Sequence, residues 1–114
     1  MKIRMIAGAL GVCGVLSFSP LTMALDADAA QALAKKEGCL KCHAIDKKKE
    51  GKPLREIANK YKGKADAEAK ILHHMTAGEK VKMEDGTEEE HKVIKTKDKA
   101  EQKNLIEWIL SHAK

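Results

Sequence analysis

The run Cys39-Leu40-Lys41-Cys42-His43 constrains this chain more than any other feature. It is the C-x-x-C-H pattern. Its spacing lets two thiols add to the two vinyl groups of one haem while the following residue turns its imidazole under the iron. Both jobs need those residue types in that order. The reading assigns Cys39 and Cys42 to covalent attachment of a single haem c, and His43 to one axial position. The rival chemistries need partners that the sequence does not offer. A thioredoxin-type redox disulfide needs a βαβ setting, and a zinc site needs a second ligand pair.

The N-terminus places this motif in an oxidising compartment. Met1-Lys2-Ile3-Arg4 is a short basic start, and Met5 to Phe18 is an apolar run too short for a bilayer-spanning helix. After Pro20, Thr22-Met23-Ala24 offers small residues at the right offsets for cleavage. Residues 1–24 therefore read as a cleaved signal peptide, and 25–114 as one domain secreted to the periplasm. The competing reading is an uncleaved anchor, although no charged stop-transfer segment follows closely. Cys13 leaves with the leader, since Val12 stands where a lipoprotein signal wants a small residue. An unclaimed Cys39–Cys42 pair would be oxidised after export, so a cofactor has to claim it.

Composition points the same way. Beyond the leader the aromatics are Tyr61 and Trp108, and a domain this small buries a modest share of its surface. A flat apolar cofactor supplies the missing core, though an unaided helical bundle fits the composition too. The formal charge of +5 includes Lys2 and Arg4, leaving +3 without them. Lys47–Lys49, Lys60, Lys62 and Lys64 make either a positive rim for an acidic redox partner or a solvated face. Stacking aromatics and basic motifs are lacking, which gives no nucleic-acid signal.

Helical spacing recurs along residues 25–114. Asp26 or Asp28 caps a first helix carrying Ala29, Ala30, Leu33 and Ala34, which Gly38 ends just before Cys39. Pro53 starts a short helix with Leu54, Ile57, Ala58 and Tyr61 on one face, closed by Gly63. Asp66 caps a third helix reaching about Ala77, with Ala69, Leu72 and Met75 or Ile71 inward, and Gly78 ends it. Glu79 to Lys97 shows no sustained period and reads as a long functional loop. Asp98 and Glu101 open the last helix in capping-box fashion. Its apolar stripe is Leu105, Ile106, Ile109 and Leu110, beside Trp108 as a core residue against the haem. No alternating pattern competes, so the expected fold is all-α, about four short helices around one haem.

With these residues in place the chain resembles the small bacterial class I c-type cytochromes. The resemblance rests on the helix running into Cys-x-x-Cys-His, Lys-Tyr-Lys-Gly at 60–63, Ala-Glu-Ala-Lys at 67–70 and Leu-Ile-Glu-Trp-Ile-Leu at 105–110. It implies that the first and last helices cross beside the haem edge and that the protein shuttles electrons between periplasmic redox partners. Two departures stand out. The family commonly has Gly-Pro soon after the motif, the proline carbonyl holding the proximal histidine; here the run is Gly51-Lys52-Pro53, giving that role to Pro53. The family's sixth ligand is usually the methionine of a Met-Pro pair, and this chain has no Met-Pro.

Three residues compete for the sixth position. Counting back from Trp108 by the family's usual separation lands near His91, not Met83, and Met75 belongs to an amphipathic helix face. His91 is the expected ligand and Met83 its alternative. The second imidazole implies a low-spin haem at low potential. His73 and His74 lie roughly 100° apart on their helix, so only one can face inward, and surface placement is expected. His112 reads as a surface residue favouring a helix C-terminus. The function expected is an electron carrier, not an enzyme. The alternatives are a labile-ligand haem protein that binds nitric oxide, oxygen or peroxide, and a haem subunit of a larger oxidoreductase.

Overall fold

The computed structural model describes residues 8, 11–15 and 24–114. Most of the leader and its cleavage segment lie outside the described residues. Among those described, no helix is long and apolar enough to cross a membrane.

Four helices carry the fold: α1 (Ala27–Lys36), α2 (Leu54–Tyr61), α3 (Ala67–Thr76) and α4 (Lys99–Leu110). At 8 to 12 residues each, they are too short to persist alone and depend on burying one face. α1 begins where the Asp26 carboxylate accepts from the Ala29 amide. α4 begins where Asp98 accepts from the Ala100 and Glu101 amides. Glu101 does not complete a capping box; its carboxylate accepts the Thr96 hydroxyl at 2.6 Å. α3 has Asp66 at its cap position without a side-chain cap bond, because that carboxylate pairs with Lys70 one turn on at 3.0 Å.

The core gathers one face of each helix. Ala30 and Ala34 from α1, Leu54 from α2, and Ile71 and Met75 from α3 meet Leu105, Ile106, Trp108 and Ile109 from α4. Small residues on α1 let it approach α4 closely. Asn104 fixes the crossing, accepting from the Asp26 amide and donating to the Asp26 carbonyl, both at 2.9 Å. α3 departs from its expected register: Ala67, Ile71 and Met75 form the buried stripe at four-residue intervals, and Ala69 is exposed. Met75 is thus a core side chain.

Residues 79–97 are not structureless. β1 (Lys80–Lys82) and β2 (Glu88–Glu90) form an antiparallel ribbon with Lys80 opposite Glu90, Val81 opposite Glu89 and Lys82 opposite Glu88. The register sets Lys80 and Lys82 opposite glutamates, a cross-strand pattern that suits an antiparallel pair. Asp85-Gly86 forms the turn, with Gly86 at φ +85° and Asp85 accepting from the Thr87 amide and hydroxyl. The fold is therefore mainly helical with one small hairpin. That hairpin had no apolar alternation to announce it, since Val81 is the one apolar residue among its six.

Two of the lysines that read as either a positive rim or a solvated face are occupied. Lys48 pairs with Glu84 of the hairpin turn at 2.9 Å, and Lys49 donates to the Leu40 carbonyl at 3.0 Å. Both contacts tie the loop after the haem motif back onto the protein. His112 also departs from expectation: its ring packs edge-on against Trp108, centroids 4.8 Å apart, and burial followed by the Arg55 guanidinium pushes its pKa down. A neutral ring in that position does not serve a helix dipole.

Candidate haem centre

α1 hands the chain to the motif through a sharp turn. Glu37 caps the helix, and Gly38 takes φ +81°, a left-handed conformation that a side chain would strain. The next three residues, Cys39–Lys41, form a single 3-10 turn. The Cys39 carbonyl accepts from both the Cys42 amide (3.3 Å) and the His43 amide (3.0 Å), gathering two thiols and an imidazole onto one turn of backbone. No disulfide joins the two sulfurs. The Cys39 thiol is pushed up by burial, and then by the neighbouring Glu37 carboxylate. A redox dithiol needs the opposite, a depressed thiol pKa, so the environment disfavours the disulfide-exchange reading.

The His43 ring is oriented by its Nδ1, which donates to the Lys52 carbonyl at 2.7 Å. That bond fixes the tautomer and leaves Nε2 with its lone pair. The orienting carbonyl is thus Lys52's, not that of Pro53. The Pro53 carbonyl is already engaged, accepting the Ile57 amide at 3.1 Å in the first turn of α2. Pro53 acts one step removed: it stands at the N-cap of α2 and disfavours helical backbone at the preceding Lys52.

Gly51 makes this approach possible. Its amide donates to the Cys42 carbonyl at 2.9 Å, and a Cβ there would stand 2.6 Å from His43 Cε1 and 2.9 Å from Nδ1. Neither the ring nor the Cys42 carbonyl, 3.2 Å away, can yield without breaking a hydrogen bond. Gly51→Ala is expected to cost about 1–3 kcal/mol of stability, as overpacking does. It should also alter the ferric haem spectrum, read by electron paramagnetic resonance beside a melting curve; an unchanged spectrum would count against the contact.

Across from His43 stands His91, ring centroids 6.2 Å apart and planes tilted by 46°. Two imidazoles bonded to one metal through nitrogens at about 2 Å have centroids about 6 Å apart, so the pair has the spacing of two axial ligands. Nδ1 of His91 is buried and has no hydrogen-bond partner among the described residues. Met83 sits instead at the hairpin turn, its amide bonded to the Thr87 carbonyl at 2.7 Å and its carbonyl to the Gly86 amide at 3.0 Å.

The expectation that both His73 and His74 lie on the surface holds for one of them. His73 is exposed and pairs with Glu79 at 2.6 Å. His74 is half-buried, its ring 4.0 Å from that of His91. The signal was present in the sequence: His74 follows Ile71 by three residues, on the flank of the buried stripe. Burial and then the neighbouring His43 push the His74 pKa down, and burial and then His74 do the same to His91. Both rings therefore favour the neutral, lone-pair-bearing form.

Comparison with known proteins identifies the family. The family model for cytochrome c matches residues 27–113. The chain belongs to the cytochrome c family. Cytochrome c2 of Rhodocyclus tenuis is 37% identical over 81 residues, 70% of this chain and 88% of that protein. Cytochrome c-551 of Azotobacter vinelandii is 32% identical over 85 residues, covering 75% and 99%. Among solved structures, the class 1 cytochrome MtoD from Sideroxydans lithotrophicus ES-1 superimposes with a TM-score of 0.75 at 54% identity, over 78% of this chain and 98% of that one. Wild-type Nitrosomonas europaea cytochrome c552 gives 0.57 at 31% identity, covering 71% and 96%. As a small class I cytochrome c, the protein carries one covalently bound haem c and transfers electrons between redox partner proteins.

Proposed function

We propose that this cytochrome c is a periplasmic one-electron carrier whose haem is tethered by Cys39 and Cys42 and ligated by His43 and His91. The observation that carries the reading is the His43–His91 pair, spaced at 6.2 Å on opposing segments. Bound haem supplies the one-electron couple. The chain's residues set the terms on which it works. The Lys52 carbonyl holds His43 and raises its basicity as a ligand. A second imidazole in place of the thioether supports ferric iron and lowers the potential. With His43 and His91 both holding the iron, small-molecule binding would depend on release of His91, which favours the carrier over the labile-ligand reading. Export rests on the leader-like residues 1–24.

The purified holoprotein is expected to give a low-spin ferric spectrum lacking the sulfur-to-iron charge-transfer band of a thioether ligand. Met83→Ala should leave that spectrum and the potential unchanged. Loss of the low-spin signature in the Met83 variant would remove His91 from the iron.

A further inference from the structure

Glu37 is the one charged residue among those described that is buried, at 5% exposure. It lies two residues before Cys39, yet both its oxygens serve a distant segment: Oε2 accepts the Lys95 amide at 2.6 Å and Oε1 the Thr96 amide at 3.3 Å. Burying a carboxylate is costly unless its hydrogen bonds are satisfied, and bonds from backbone N–H groups to an ionised acceptor are among the stronger ones.

The segment so held is a strap, residues 91–97, that carries His91. Its first amide, that of His91, donates to the Glu79 carbonyl at 2.7 Å, and the Ile94 amide donates to the Met75 carbonyl at 3.0 Å. These contacts join the strap to α3 and the hairpin. On the other side, the Thr96 carbonyl accepts from Gln102 Nε2 of α4 at 3.0 Å. The Glu37 bonds join the strap to the end of α1 that delivers Cys39. One side chain thereby fixes the His91 segment to the frame that holds the thiols and His43.

We propose that Glu37 is a positioning residue that sets how firmly His91 is held opposite His43. This rests on His91 being the sixth ligand. Without the Glu37 bonds, the strap between Ile94 and α4 loses its attachment to α1, and states in which His91 has swung away gain population.

The test uses carbon monoxide uptake by the reduced holoprotein, with the ferric spin state read in parallel, in Glu37→Gln, Glu37→Ala and His91→Ala. Uptake should be accelerated about threefold in the glutamine variant, which keeps one acceptor oxygen. In the alanine variant it should be accelerated about tenfold, the population shift that losing charge-assisted hydrogen bonds allows. His91→Ala sets the fully open limit. A merely structural role lowers the melting temperature without moving uptake, so a flat series overturns the proposal even where the variants melt earlier. If Glu37→Ala does not mature, Glu37→Gln decides alone, and uptake at the wild-type rate overturns it. A flat series beside a high-spin His91→Ala defeats only the role of Glu37. An unchanged low-spin His91→Ala defeats the ligand reading and this proposal with it.

Discussion

Replacing Cys39 and Cys42 together with alanine is expected to leave a chain that does not fold. The far-UV circular dichroism should fall to the level of an unfolded polypeptide, with no Soret absorption. The reason lies in how little core the polypeptide supplies. Among the described residues, α1 buries only Ala30 and Ala34, Tyr61 is half-buried, and Trp108 is the one buried aromatic. Helices of 8 to 12 residues have no independent stability. Net stability of a small domain is about 5–15 kcal/mol, and a tethered ligand that binds only the native state contributes on that scale. Each single cysteine variant keeps one thioether and is expected to fall between the extremes, with haem retained and melting lowered. Native helicity in the double variant would mean that the polypeptide core suffices alone.

How far the sequence discloses this structure depends on whether each feature is encoded locally. α1, α2 and α4 are legible because their caps and apolar spacing are local: Asp26 and Asp98 cap as their types suggest, and Gly38 takes the left-handed turn before Cys39. The motif is legible because its chemistry needs contiguous residues. The hairpin is hidden because its strands are Lys- and Glu-rich around an Asp-Gly turn and carry no apolar alternation.

Other features depend on residues that meet only in three dimensions. Proline marks the neighbourhood of the orienting carbonyl, but its own carbonyl is committed to the first turn of α2, so the role passes to Lys52. Glu37 reads as one more charged residue in a helix's last turn until the strap arrives from 58 residues away. Ala69 and Ala67 are equally plausible inward positions on α3, and packing against α4 decides between them. Local pattern therefore locates the haem motif, and the groups that orient and brace it follow from tertiary contacts.

The largest spectroscopic change is expected at His91. His91→Ala should convert the ferric haem from low to high spin and open the distal face to carbon monoxide, while both thioethers and the His43–Lys52 hydrogen bond persist. His91→Met separates ligand identity from mere occupancy. A methionine on the same strap, still anchored through Ile94, Lys95 and Thr96, presents a soft thioether that favours ferrous iron. The haem should stay low-spin but gain the sulfur charge-transfer band. Its potential should rise by on the order of 0.1 V, well within the ~0.8 V that axial ligation spans. The proximal imidazole supplies an internal control, since Lys52 fixes its tautomer independently of the strap. Titration of wild type and both variants against mediators of known potential checks the order. Equal potentials in wild type and His91→Met would mean that residue 91 does not touch the iron, and that the 6.2 Å approach of the two rings serves packing alone.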